Sequence, residues 1–275
     1  MTAAWTAALV ALFAWWFSTG IILLAVRLAD RTGPGAHRQC ALLTLPVLAL
    51  GLAGFRESLP MDGAEGAYLG FLAALAIWGW VELAFLTGVL TGPNTRPCPP
   101  GRPEWERFIR AWGTIAWHEM ALVALTIGLG LAAWEAPNPT GFYCFAVLFF
   151  ARVSAKLNLF FGVPRINVAF LPRPLAHLPS HFRIARRNRL YPVSVTALSL
   201  ATGCWLERLW WAEAPGEVVG YALLATLTGL ALLEHWFMVL PLPDERLWRW
   251  MLPAPVPAPA PRQPPLRPTE DAHGL

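Results

Sequence analysis

Residues 67–91 read AYLGFLAALAIWGWVELAFLTGVLT, a run of 25 positions in which Glu82 is the only acid and no base occurs. An α-helix rises about 1.5 Å per residue and needs about 20 apolar residues to cross the hydrocarbon core of a bilayer. The run shows no period-two alternation and is far too long for a strand, so it reads as a membrane-spanning helix. Water is not the solvent of this segment.

Working outward, comparable apolar runs cover Ala3–Val26, Cys40–Phe55, Ala111–Trp134, Phe142–Val163, Pro192–Leu209 and Val218–Leu240. Together with Ala67–Thr91 they predict seven spans, an all-α polytopic bundle. The whole chain agrees: of 275 residues 56% are hydrophobic and 14% charged, where soluble domains carry about 25% charged residues. The first run exceeds the 7–15 apolar residues of a signal peptide and has no basic residue before it, so it is expected to be a retained helix. The weakest span is Cys40–Phe55, which is short, holds Pro46 and stops at Arg56-Glu57.

Basic residues stay on the cytoplasmic side of a membrane. Arg27, Arg31, Arg38, Arg96, Arg102, Arg107, Arg110, Arg165, Arg173, Arg183, Arg186, Arg187, Arg189, Arg246, Arg249, Arg262 and Arg267 fall on one side of the seven-span plan, against Arg56 and Arg208 on the other. This predicts the N-terminus outside and the C-terminus in the cytoplasm. The inner loop Gly92–Gly101, GPNTRPCPPG, cannot be helical, because prolines remove donors and force their predecessors into extended backbone. Residues 1–252 form the predicted membrane bundle. Residues 253–275 are Pro-rich and polar, with nothing to bury, and are expected to be a disordered cytoplasmic tail.

Several function classes lack residues to carry them. Cys40, Cys98, Cys144 and Cys204 form no C-x-x-C pair, so neither a disulfide framework nor a zinc motif is indicated. There is no G-x-G-x-x-G, Walker or G-x-S-x-G element, which speaks against nucleotide-driven pumping and serine hydrolysis. The charge of +4 rests almost wholly on arginine and gives no reason to expect a nucleic-acid partner. The basic inner-loop residues Arg165, Arg173, Arg183, Arg186, Arg187 and Arg189 are candidates for contact with anionic lipid or a protein partner.

Ionisable side chains within spans cost several kcal/mol unless paired, which makes them the first place to look for function. They are Glu82, His118, Glu119, Arg152, Lys156, Glu234 and His235. Counting rise from the span centres puts Glu82, Glu119 and Lys156 each about 5 Å, and Glu234 about 7 Å, toward the cytoplasm, with Arg152 one turn from Lys156 on the same helix face. Glu82, Glu119, Arg152, Lys156 and Glu234 therefore define a predicted charged layer. Its preferred reading is a buried ion-pair network that fixes helix order. A second reading makes His118 or His235 the axial ligand of a tetrapyrrole, with Trp117 and Trp236 as flat packing surfaces. A carboxylate and histidine metal site is disfavoured by the two cations and by the absence of E-x-x-H, and proton relay is the remaining alternative. Small residues at helical spacing, Gly66, Gly70 and Ala74 and also Ala225 with Gly229, are expected to let helices approach within the bundle.

Local sequence adds a resemblance. WWFSTG at Trp15–Gly20, AIWGWVELAFLTG at Ala76–Gly88 and GPNTRPCPPG at Gly92–Gly101 resemble the PuhE family, photosynthetic complex assembly protein 2 of purple phototrophic bacteria. WERFIRAWGTIAWHE at Trp105–Glu119, FARVSAKLNLFFGVPRIN at Phe150–Asn167, LPRPLAHLPSHFR at Leu171–Arg183 and LLEHWFMVLPLPDERLWRWML at Leu232–Leu252 do the same. The resemblance covers nearly all of residues 1–252. It implies a multi-pass protein of the bacterial inner membrane that helps build the reaction centre and core antenna complex, or modulates bacteriochlorophyll supply to it. Its partners would be the bilayer, reaction-centre or core-antenna subunits and other assembly factors. No catalytic or ligand residues come with it; an enzymatic step in bacteriochlorophyll metabolism is the less favoured alternative, and bacteriochlorophyll is the one cofactor it brings into view.

Overall fold

The structure, a computed structural model, describes residues 2–33, 35–166, 168, 171–186 and 188–241. These residues form eight α-helices: α1 (Thr2–Thr32), α2 (Ala36–Leu43), α3 (Leu45–Ser58), α4 (Ala64–Leu86), α5 (Glu104–Ala133), α6 (Thr140–Phe161), α7 (Leu190–Trp211) and α8 (Pro215–Phe237). Two short 3-10 turns, Arg173–Leu175 and Leu178–His181, lie in the connection between α6 and α7. The described residues contain no strand beyond an isolated bridge between Val163 and Ile184. The expected tail at 253–275, together with Arg187, Arg246, Arg249, Arg262 and Arg267, lies outside the described residues.

Six helical segments are long and apolar enough to cross a membrane: α1, the α2–α3 pair taken as Ala36–Ser58, α4, α5, α6 and α8. The sequence predicts seven, and the shortfall falls on the run at Pro192–Leu209 rather than on the short second one. That run is the 22-residue helix α7, but Ser194, Thr196, Ser199, Thr202, Glu207 and Arg208 dilute its apolarity. The second run is lengthened to a spanning pair by its flanks. It bends at Thr44, whose hydroxyl donates to the carbonyls of Cys40 and Ala41 at 2.8 and 3.1 Å, while Pro46 supplies no backbone donor. The Trp80 indole of α4 donates to the Ala41 carbonyl at the same bend, 3.1 Å away.

Two boundaries move for visible reasons. Helix α5 begins at Glu104, well before Ala111, because Pro103 is held extended and ends the loop, and Glu104 and Glu106 in the first turn suit the positive end of the helix dipole. Helix α4 stops at Leu86 rather than Thr91. Thr87 turns its hydroxyl back onto the Leu83 carbonyl at 2.8 Å, and Gly88 follows with φ of 76°.

Helices α4 and α8 are the most enclosed of the spanning set. Their buried residues, among them Phe71, Ile77, Leu223 and Leu227, form one core with Phe145 of α6, Leu122 of α5 and Ala7 and Ala11 of α1. Gly70 lets α4 approach α6 closely: a Cβ there would stand 3.0 Å from the backbone nitrogen of Gly141. The expected role of that small-residue series in bundle packing therefore has a counterpart here, whereas a Cβ on Gly229 would meet only the Thr202 methyl at 4.0 Å. Tertiary burial at such contacts, rather than helix propensity, holds lipid-embedded helices together.

Candidate functional site

Facing positions of α4, α5 and α6 carry the buried charges. On α6 the order Arg152, Ser154, Lys156, Asn158 matters. At 3.6 residues per turn, Arg152 and Lys156 share one face, while Ser154 and Asn158 share a face about 200° away. Helix α6 thus presents two cations to α4 and α5 and two neutral polar groups to α7 and α8.

On the charged face, Arg152 Nη2 donates to Glu82 Oε2 of α4 at 2.8 Å. Lys156 Nζ donates to Glu119 Oε1 of α5. Both carboxylates are buried, and each has its own cation, which is the condition under which ionised groups are tolerated away from water. Lys156 also lies 5.5 Å from the centroid of the Phe85 ring, a further favourable contact for an ammonium.

His118 sits between the two pairs, fully buried. Its Nε2 is 3.8 Å from Glu82 Oε1 and 4.0 Å from Glu119 Oε1, too far for a hydrogen bond. Among the described residues neither ring nitrogen of His118 nor Glu82 Oε1 has a hydrogen-bond partner. Phe85 covers the imidazole with ring centroids 4.5 Å apart. The backbone here is unusual as well. The His118 N–H donates to the Thr91 carbonyl at 3.0 Å, and Asn94 N–H donates to the Gly113 carbonyl at 2.9 Å. The Asn94 side-chain amide donates to the Arg110 carbonyl at 2.9 Å. The loop after α4 therefore lies along α5 and takes over hydrogen bonds of its ladder. Gly92 is required at that contact, since a Cβ would come within 2.2 Å of the Gly113 oxygen.

The opposite face of α6 builds a neutral network. The Asn158 amide donates to the Ser154 carbonyl and to Ser194 Oγ, both at 2.9 Å, and its oxygen accepts from Asn188 at 2.8 Å. His235 Nδ1 lies 2.8 Å from the Ala231 carbonyl. A carbonyl can only accept, so Nδ1 carries the proton and Nε2 accepts from the Ser154 hydroxyl at 2.9 Å. The Tyr191 hydroxyl donates to the His235 carbonyl at 3.1 Å. This network ties α7 to the bundle through α6 and α8.

Of the predicted layer, Glu82, Glu119, Arg152 and Lys156 are brought together as two cross-helix pairs. Glu234 of α8 makes neither of these pairs but stands close enough to Arg152 and Glu82 to interact with both charges, and the Trp15 side chain hydrogen-bonds to it. The two histidines proposed as tetrapyrrole ligands differ in kind. Both nitrogens of His235 are engaged, whereas those of His118 are unpartnered but enclosed. Trp117 and Trp236 are partly exposed on the outside of the bundle. Among the described residues no three His, Cys, Asp or Glu side chains are grouped to hold a metal ion. Ser154, Asn158, Ser194, Asn188 and Tyr191 were not singled out by sequence reasoning; the i,i+4 spacing of Ser154 and Asn158 opposite the cations was the available signal.

In the connection between α6 and α7, Arg165, Arg173, Arg186 and Arg189 are exposed, while Arg183 pairs with Glu104. His177 and His181 are buried here. Burial lowers both their pKa values below the ordinary histidine range, helped for His181 by Arg107 and Arg110.

Fold and site together define a polytopic α-helical membrane protein whose spans are cross-linked by buried, mutually paired charges. The chain belongs to the family described as protein of unknown function DUF3623, whose profile matches residues 1–258. It is 54% identical over 250 residues, 91% of each chain, to a 30.4 kDa protein of Rhodobacter capsulatus described as uncharacterized and placed in the puhA 5′ region. No solved structure matches the chain.

Proposed function

We propose that the protein is an assembly factor for the photosynthetic reaction centre and core antenna complex in the bacterial inner membrane. The observation that carries this reading is the R. capsulatus relative's position in the puhA 5′ region, which agrees with the resemblance of residues 1–252 to the PuhE family. Reaction-centre or core-antenna subunits, anionic lipid and other assembly factors are its partners. It crosses the membrane seven times, α7 included, with the N-terminus outside and the Arg-rich loops in the cytoplasm. In support, the described arginines collect at one end of the helices, apart from Arg152 within a span and Arg56 and Arg208 at the other end.

A structural role for the charged layer is supported by the way its charges are used. Glu82 and Glu119 each have a dedicated cation, and removing a partner would strand a charge. The test is deletion of the gene in a bacteriochlorophyll-producing host. An assembly role leaves pigment synthesis intact and lowers the absorption of reaction-centre and core-antenna complexes. Accumulation of a pigment precursor instead would identify an enzyme and overturn the reading.

One observation favours a pigment-carrying alternative, the unpartnered ring nitrogens of His118. Its signature is stoichiometric bacteriochlorophyll in the protein purified in mild detergent, abolished by His118→Ala without loss of folded protein.

A further inference from the structure

Where the start of α5 meets the end of α6, the surface forms an open groove of about 700 Å³. Its apolar wall is Trp105, Phe108, Ile109, Phe160 and Phe161, and Glu104 with Arg183 stands at the rim. Four of the wall residues face outward: Trp105 is 65% exposed, Ile109 59% and Phe108 and Phe161 45% each. The groove lies at the basic end of two spanning helices, in the belt where tryptophan marks the boundary between hydrocarbon and headgroups.

The charge at the rim is unbalanced. Glu104 is shared by Arg107 and Arg183, and Glu106 is shared by Arg102 and Arg110. Four guanidiniums against two carboxylates leave two positive charges. Each guanidinium has five N–H donors, so a shared carboxylate leaves several of them free. Arg107 is further held over the ring of the wall residue Phe160, 5.1 Å from its centroid, which keeps its charge beside the groove. Such a volume is within the range of small-ligand sites and narrow for a helix about 10–12 Å across.

We infer that this groove is a binding site for an anionic phospholipid, one acyl chain lying against Phe108, Ile109, Phe160 and Phe161 and the phosphate bound by Arg183 and Arg107. Bidentate guanidinium contacts suit a phosphate, and basic pockets between spanning helices are known receptors for acidic headgroups. The site is independent of the charged layer and of the assembly reading. It would give the protein a preference for acidic regions of its membrane.

The test is native mass spectrometry of the full chain in mild detergent, titrated with phosphatidylglycerol and with phosphatidylcholine of the same acyl composition. One phosphatidylglycerol is expected to be retained at least tenfold better than phosphatidylcholine. Joint Arg107→Gln and Arg183→Gln substitution should reduce its retention to the phosphatidylcholine level. Glu104→Gln should raise it at least threefold, a gain that misfolding cannot produce, and Phe161→Ala should weaken both lipids. Equal retention of the two lipids, no response to these substitutions, or complete displacement by glycerol phosphate would overturn the proposal. So would a dimer that the arginine substitutions dissociate, since the occupant would then be a second copy of the chain.

Discussion

Arg152 of α6 reaches Glu82 of α4 at 2.8 Å, and one turn further along α6 Lys156 makes the equivalent bond to Glu119 of α5. One helix thereby holds two others through two separate charges. Neither bond can be lost without leaving an ion in a medium of low dielectric.

Lys156→Ala is therefore expected to destabilise the protein by about 3–5 kcal/mol, the usual cost of leaving one member of a buried pair alone. The double variant Lys156→Met with Glu119→Leu should recover most of that loss. Thermal unfolding of the purified protein, arranged as a double-mutant cycle, measures the coupling. Additive effects of the two changes would show that the pair does not act as a unit.

The two buried histidines should respond in opposite ways. The His118 side chain has no hydrogen bond to lose among the described residues, so His118→Leu is expected to leave stability unchanged or raise it, since an unpaired buried polar group is a cost. His235→Leu strips partners from Ser154 and Ala231 and should cost about 1–3 kcal/mol. Melting temperatures of the two variants side by side decide the matter.

The contact between the loop and α5 depends on one missing methyl group. Gly92→Ala should be strongly destabilising, because its Cβ would overlap the Gly113 carbonyl. Gly128→Ala, on the same helix with nothing within 4 Å, should stabilise by about 0.5–1 kcal/mol through helix propensity. Comparing the yield and melting temperature of the two variants separates a local clash from a general sensitivity of α5.

The loop that holds His177 and His181 should weaken in acid. Both pKa values are lowered in the folded state by burial, so the unfolded loop binds more protons. Its stabilisation is present above the ordinary histidine pKa of about 6.5 and is lost as pH falls below it. Hydrogen exchange at residues 171–186 should accelerate between pH 7 and pH 5, and His177→Gln with His181→Gln should flatten that dependence. Exchange that is independent of pH in the unsubstituted protein would contradict the assignment.

Much of this protein was legible in its residues because the bilayer imposes a simple rule. Backbone groups in hydrocarbon must bond within their own helix, so long apolar runs such as Ala67–Thr91 announce helices without any knowledge of neighbours. The scarcity of charge within those runs made Glu82, Glu119, Arg152 and Lys156 stand out, and helix rise alone placed them at one level. The sequence could not say which carboxylate would take which cation. Nor could it say that Glu234 would stand near Arg152 and Glu82 with the Trp15 side chain as its hydrogen-bond partner, because depth counts position along a helix and not the face on which it points.

The sequence by itself determined an all-helical membrane bundle with a charged layer and a basic end, since hydrophobic length, charge placement and proline are properties of the chain. The tertiary structure decided the rest. It showed that α7 adds the Asn158, Ser194 and His235 network to its packing against α8, that the loop at Gly92 lies against the backbone of α5, and that His118 is enclosed with no hydrogen-bond partner for its side chain among the described residues. Those facts depend on which faces of separate helices meet, and the contact between two faces is set by packing over the whole bundle rather than by any local pattern.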